Sequence, residues 1–141
     1  MSETKKVEGG CLCGQIRFST TIEPSYQLLC FCTDCQTISG AAHFAAYGVP
    51  IESILLLKGK PKIFETTADS GRINARRFCS DCGSRVWAQI DELGLASVNA
   101  FALDDRAHFQ PASNHCPESA PNWIEIDDSL DYFGRIPRET N

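Results

Sequence analysis

Long apolar runs and positive charge are both scarce in this sequence. No segment approaches the roughly 18 consecutive apolar residues of a membrane-spanning helix, and the stretch from Thr4 to Cys11 is too polar for the core of a secretory signal. Thirteen Lys and Arg residues stand against 18 Asp and Glu, so no broad basic surface for nucleic acid is expected. We therefore expect a cytoplasmic protein that binds neither a membrane nor nucleic acid.

Helical periodicity is also scarce, whereas short runs of alternating apolar and polar residues are frequent. Strands are predicted over 15–19, 42–49, 54–58, 62–66, 85–90, 95–100 and 123–126. Glycine and proline punctuate the intervals between them, and only 33–39 and 103–109 suit a helical turn or two. This pattern predicts an all-β fold of short antiparallel strands in one domain, 1–141, with Trp87 and Trp123 in its core. The packed part is expected to be about 7–133, between polar N- and C-terminal tails, the latter loosely ordered after Phe133.

Cysteine, in contrast, is abundant, with eight residues in a chain of 141. In a secreted protein this count would indicate disulfides, but in a reducing cytosol it points to metal binding or thiol chemistry. Neighbours such as Cys11 and Cys13 are poorly placed to bridge each other. The groups are Cys11 and Cys13; Cys30, Cys32 and Cys35; Cys79 and Cys82; and Cys116 alone. We therefore expect bound metal.

Two cysteine pairs, each followed by a glycine, are typical of one structural zinc site. If Cys11 and Cys13 lie in an extended segment, both side chains point the same way and can reach one ion. Cys79 and Cys82 have the knuckle spacing of structural zinc sites, where the following glycine permits the positive φ that wraps the loop around the ion. The four thiolates make a complete tetrahedral set. The alternative is a group of buried or redox-active cysteines without metal.

The middle group supplies three thiolates, one fewer than a closed zinc site needs. Zinc held by Cys30, Cys32 and Cys35 would keep a fourth position for water or substrate, as catalytic zinc sites do. The alternative is a closed second site with a fourth protein ligand. The candidates for that ligand are Cys116, His43 and His115, although His43 is better explained as a partly buried, hydrogen-bonded histidine.

Four arginines surround the last cysteine pair in the sequence: Arg72, Arg76, Arg77 and Arg85. Thiolate–metal clusters carry negative charge that such arginines can offset, and a solvated charged face is the alternative explanation. Three of these arginines, Arg72, Arg76 and Arg77, are also candidate partners for the carboxylates of a substrate.

The order and spacing of these motifs resemble the glutathione-dependent formaldehyde-activating (GFA) family. The segments that carry the resemblance are 9-GGCLCGQIRF-18, 30-CFCTDCQTISGA-41 and 78-FCSDCGSRVW-87, with further similarity in 111-PASNH-115 and 120-APNWIEI-126. The resemblance covers most of the chain. Phe31 is a departure, because members commonly have histidine between the first two cysteines of the middle motif.

Membership of that family implies a β-tent fold and two zinc ions per chain. It assigns a structural zinc to Cys11, Cys13, Cys79 and Cys82, and a second, catalytic zinc to Cys30, Cys32 and Cys35. The implied activity is that of a carbon–sulfur lyase, similar to an S-hydroxymethylglutathione synthase, acting on glutathione and formaldehyde.

Three functions are compatible with the sequence. The first is an enzyme that joins glutathione, or a related small thiol, to formaldehyde or another aldehyde, or cleaves such an adduct. The second is a non-catalytic binding module stabilised by two structural zinc sites, and the third is a redox or metal-buffering protein. The oligomeric state is left open.

Overall fold

Short strands are the main regular secondary structure of the computed structural model, which describes residues 5–133. The strands are β1 (Lys6–Gly10), β2 (Arg17–Thr21), β3 (Tyr26–Cys30), β4 (Phe44–Pro50), β5 (Leu55–Lys58), β6 (Lys62–Thr67), β7 (Ile73–Phe78), β8 (Arg85–Ile90), β9 (Leu95–Asn99), β10 (Ser113–His115) and β11 (Asp131–Phe133). One α-helix in this range, α1 (Thr33–Ser39), joins β3 to β4. The predicted all-β class is confirmed. The predicted loose order after Phe133 lies outside the described residues.

Six of the seven predicted strands coincide with observed ones to within two residues at each end, and the first of them is shifted by two residues to Arg17–Thr21. The predicted strand over 123–126 is wrong. Trp123 lies in a turn, Ile124 in a bend, and residues 125–126 have no regular secondary structure. The helical turns predicted over 103–109 reduce to a short 3-10 helix, Arg106–His108. Trp123 was expected in the core but is 79% exposed, whereas Trp87 is buried as predicted.

The strands form two sheets within the described residues. A three-stranded sheet has the order β1-β2-β5, and an eight-stranded sheet has the order β11-β10-β3-β4-β9-β8-β7-β6. All pairs are antiparallel except those that β10 makes with β3 and β11, which are parallel. Within the described residues, no helix is long and apolar enough to cross a membrane.

The main core lies between the two sheets. Phe18 of β2 packs edge-on against Trp87 of β8, with ring centroids 5.7 Å apart. The Tyr47 hydroxyl of β4 donates a hydrogen bond to the Thr21 carbonyl of β2 at 2.8 Å, while its ring is fully buried. Each such ring removes a large apolar area from water, and the polar tip of Tyr47 is satisfied by the facing sheet.

The opposite face of the eight-stranded sheet is concave and belongs to a cavity of about 200 Å³. Alternation along each strand explains the division, because residues i and i+2 share a face. On β4, for example, Ala45, Tyr47 and Val49 belong to the core, whereas Phe44 and Ala46 line the cavity. The sheet therefore separates a packed interior from an open site.

Candidate metal centres

The four-cysteine cluster, formed by Cys11, Cys13, Cys79 and Cys82, lies where the two sheets meet. Its four sulfur atoms lie within 4.8 Å of one another. The Sγ atoms of Cys11 and Cys13 are 3.6 Å apart, and those of Cys13 and Cys79 are 3.7 Å apart. Four sulfurs about 2.3 Å from a tetrahedral zinc ion would be separated by roughly 3.8 Å, whereas a disulfide needs about 2.05 Å. The spacing fits a zinc site.

Two similar turns present these four sulfurs. In the first, the Gly14 amide donates to the Cys11 carbonyl at 3.1 Å; in the second, the Gly83 amide donates to the Cys79 carbonyl at 2.8 Å. Both glycines have positive φ, 82° and 80°, as predicted. The first segment was expected to be extended, but it is a turn. The turn, rather than strand alternation, therefore brings the first pair of sulfurs together.

Hydrogen bonds hold the sulfurs of this cluster in position. The Ile16 amide donates to Cys11 Sγ at 3.2 Å, and Ser84 Oγ lies 3.2 Å from Cys82 Sγ. The same Ser84 hydroxyl accepts from the Leu12 amide at 3.0 Å, so it links the two turns. Hydrogen bonds from the Ser84 side chain and backbone lower the pKa of Cys82 to about 5. A thiolate at neutral pH is the form that binds metal.

The three-cysteine cluster, formed by Cys30, Cys32 and Cys35, lies at the junction of β3 and α1. Its sulfurs are also within 4.8 Å of one another, and each residue is partly exposed. Cys32 is the N-cap of α1, where its sulfur accepts from the Cys35 amide at 3.3 Å. The Gln36 side-chain amide holds the loop in place by donating hydrogen bonds to the carbonyls of Phe31 and Ser119.

The pKa values of the three thiols in this cluster are coupled, so that ionisation of one thiol disfavours ionisation of the other two. Hydrogen bonds from Cys30 and Cys35 lower the pKa of Cys32 to about 2. The hydrogen bond with Cys32 raises the pKa of Cys30 to about 12, and the same neighbours raise the pKa of Cys35. Three thiolates this close repel one another unless a cation compensates them. The donor set suits a soft metal such as zinc, which removes the thiol protons when it binds.

The candidate fourth ligands do not join the three-cysteine cluster. Within residues 5–133, no His, Cys, Asp or Glu atom completes it as a fourth member, so Cys116, His43 and His115 all lie outside it. His115 is nevertheless adjacent, because its carbonyl accepts from the Phe31 amide at 2.8 Å. Burial lowers the pKa of His115, so its neutral form is favoured.

His43 contacts Phe31, the residue that departs from the family pattern. The two rings meet edge-on with centroids 5.4 Å apart, and Phe31 is 2% exposed. His43 was expected to be partly buried and hydrogen-bonded. It is partly buried, but its Nδ1 has no hydrogen-bond partner among the described residues. Phe31 thus packs as a core residue beside the cluster.

The three-cysteine cluster opens into the cavity, which Cys30 and Cys35 line. The four arginines grouped in the sequence separate here. Arg76, Arg77 and Arg85 also line the cavity, whereas Arg72 pairs with Glu92 at 3.5 Å and is not among its lining residues. Arg76, Arg77 and Arg85 therefore belong to the wall of the cavity, and compensation of charge at the last cysteine pair by the four arginines stays a prediction.

The strand that carries Cys30, β3, was not among the predicted strands. The part of the cavity wall that it forms was therefore not predicted either. The residues Tyr26, Leu28 and Cys30 alternate along β3 and all line the cavity. This period of two was the available signal. Arg85 was not considered as a substrate-binding residue, because only the pairing of β8 with β7 and β9 shows which face it shares.

Comparison with known proteins bears on both clusters. A family model for the glutathione-dependent formaldehyde-activating enzyme matches residues 6–118, which include all seven clustered cysteines. The chain belongs to this family. No curated protein matches the chain significantly.

A solved structure supports the fold of this GFA-family chain. The crystal structure of a Rhodobacter sphaeroides protein superposes with a TM-score of 0.54 at 18% sequence identity. The superposition covers 69% of this chain and 87% of the other. At this identity the likeness extends to the fold alone.

Proposed function

We propose that this GFA-family chain is a zinc-dependent enzyme of the carbon–sulfur lyase type. Its substrates would be glutathione, or a related small thiol, and formaldehyde or another aldehyde. Cys30, Cys32 and Cys35 would hold the catalytic zinc. Cys11, Cys13, Cys79 and Cys82 would hold a structural one.

The observation that carries this proposal is the contrast in ligand number, together with the cavity beside one of the clusters. The four-cysteine cluster offers a complete tetrahedral set, in which Cys11 and Cys79 are almost fully buried and Cys13 is exposed. The three-cysteine cluster offers three ligands and faces a cavity. Three protein ligands with one open position are typical of catalytic zinc, and four of structural zinc.

Zinc bound at the open site would lower the pKa of an incoming thiol, supplying a nucleophile near neutral pH. The thiol proton would pass to solvent, and the sulfur would form a bond to the carbonyl carbon of the aldehyde. The carbonyl π bond would break, and the oxygen would take a proton from solvent, which yields an S-hydroxymethyl adduct when the aldehyde is formaldehyde. The chain's own contribution would be to orient the thiol, because Cys30 and Cys35 line the cavity in which it would bind.

The test is proton NMR of adduct formation between glutathione and formaldehyde. We expect the zinc-loaded protein to accelerate the reaction, and Cys32→Ala to abolish the acceleration while the circular dichroism spectrum is kept. Cys116→Ala is the matched control, because Cys116 belongs to neither cluster. A folded, zinc-loaded protein that neither binds glutathione in calorimetry nor accelerates the reaction contradicts the proposal.

Zinc-edge X-ray absorption separates this proposal from the binding-module alternative. Two different environments are expected, one with four sulfurs and one with three sulfurs and a lighter atom. Addition of a thiol should convert the second to four sulfurs. If both zinc ions already have four protein ligands before thiol is added, the non-catalytic module is favoured.

A further inference from the structure

The cavity beside the three-cysteine cluster contains two chemically different groups of side chains. Both groups line it, and the strand order separates Cys30 on β3 from Arg85 on β8 and Arg76 on β7. Three strand spacings of about 4.8 Å separate β3 from β8, or roughly 14 Å along the sheet. Because the side chains line one common cavity, a ligand that touches both groups needs to span less than this backbone separation.

Arg76 and Arg85 have unused hydrogen-bonding capacity. Arg76 is 7% exposed and is recorded with one partner, the Thr66 hydroxyl at 2.5 Å, although a guanidinium has five N–H donors. Nη1 of Arg85 is buried without a hydrogen-bond partner among residues 5–133. Neither of these arginines, nor Arg77, forms an ion pair with a described Asp or Glu.

Such an arrangement is unfavourable unless an anion completes it. The Arg85 guanidinium lies over the Phe78 ring, 4.9 Å from its centroid, but its buried Nη1 donor has lost its water without gaining an acceptor. Burial lowers the pKa of Arg85, and the nearby charge of Arg76 lowers it further. Two guanidinium groups that repel each other in a cavity are suited to bind a carboxylate between them.

The part of the cavity between these groups is largely apolar. The intervening strands β4 and β9 contribute Phe44, Ala46, Leu95 and Ser97 to the lining, and none of the lining residues is Asp or Glu. The polar pair Tyr26 and Ser97 is internally satisfied, since their hydroxyls lie 2.6 Å apart. Glutathione carries two peptide bonds and an ammonium group between its carboxylates, and few partners for these groups are present in the lining.

We propose that the cavity selects an acidic thiol with an apolar midsection, whose carboxylate binds Arg85 and Arg76 while its sulfur reaches the three-cysteine cluster. This inference rests on the proposed function for the role of the sulfur. That proposal allows glutathione or any related small thiol, and the present one limits the thiol to a single chemical class. The anion site itself depends on the arginines alone.

Calorimetry with the zinc-loaded protein tests the proposal with four probes: ω-mercaptohexanoate, ω-mercaptohexanol, hexanoate and glutathione. We expect the mercapto acid to bind about tenfold or more tightly than the mercapto alcohol, as a charge-assisted pair in a buried site implies. It should also bind more tightly than glutathione. Equal affinities of the acid and the alcohol overturn the anion site, and tighter binding of glutathione overturns the apolar midsection.

Variants assign the effect to Arg85. Arg85→Gln should remove the preference for the acid over the alcohol, and Arg85→Lys should restore part of it, because lysine keeps the charge but lacks the forked donors. Arg72→Gln is the matched control, since Arg72 pairs with Glu92 and is not among the cavity-lining residues. A preference that survives in Arg85→Gln contradicts the proposal.

The two proposals fail in different ways. If hexanoate and the mercapto acid bind through Arg85 but no thiol reacts faster with formaldehyde, the proposed function fails and the anion site stands. If glutathione reacts faster while Arg85→Gln leaves the affinities of all four probes unchanged, the function stands and the anion site fails.

Discussion

The four-cysteine cluster joins turns separated by 66 residues of chain, whereas the three-cysteine cluster comes from one short stretch between β3 and α1. The first is partly enclosed in the core between the sheets, and no member of the second is fully buried. An ion at the four-cysteine cluster would hold the two ends of a long loop together, and its binding free energy would offset the conformational entropy lost when that loop closes. An ion at the second would fix a segment that local hydrogen bonds already hold. The same ligand type would therefore stabilise the fold in one region and hold a substrate-accessible metal in the other.

The largest expected effect on stability is the difference between two single variants, one in each cluster. Cys79→Ala should leave most of the chain unfolded, because structural zinc contributes about 10 kcal/mol or more in small zinc domains, comparable to a whole domain's stability. Cys32→Ala should cost about 1 kcal/mol, mainly through the lost helix cap. Thermal unfolding by circular dichroism and metal analysis measure both.

Metal content provides the control for this pair. Folded Cys32→Ala should retain one zinc equivalent out of two. Equal loss of stability in both variants would mean that both clusters are structural, and the contrast between them would disappear.

Chelation should distinguish the two clusters by rate. A zinc indicator with excess chelator should record a fast phase from the three-cysteine cluster, whose open position could accept a chelator atom, and a slow phase from the four-cysteine cluster, whose complete ligand set leaves no such position. Circular dichroism should change only with the slow phase. A single phase accompanied by unfolding would show that the clusters are equally accessible.

Local patterns were enough to predict much of this molecule. Alternating residues marked β8 and β9 almost to the residue, and the glycines after Cys13 and Cys82 have the positive φ that their motifs required. These features depend on short segments, whose chemistry is present in the segment itself. The grouping of seven cysteines into four and three joins segments that are distant in the chain, and it followed from ligand number and family resemblance.

Features that depend on which strands are neighbours in the sheet were not predicted. Arg85 shares a cavity with Cys30 only because β8, β9, β4 and β3 are neighbours in that order. Trp123 is exposed although its side chain is large and partly apolar, because the chain around it forms a turn rather than a strand. Which face a strand turns to the core is decided by its neighbours, and single-sequence alternation identifies two faces without naming the inner one.

The smallest expected effects come from three glycines with matched conformations. Gly83, Gly40 and Gly71 have φ of 80°, 71° and 90°, and a Cβ on any of them would meet no atom within 4 Å. Replacement by alanine therefore adds backbone strain alone, about 1 kcal/mol each. Gly83→Ala should accelerate the slow phase of zinc release, since Gly83 shapes the Cys79–Cys82 turn, and Gly40→Ala, at the end of α1, should affect only the fast phase. Gly71→Ala lies in the turn between β6 and β7 and should lower thermal stability without changing either phase; a change of both phases in Gly83→Ala would mean that the two clusters open together.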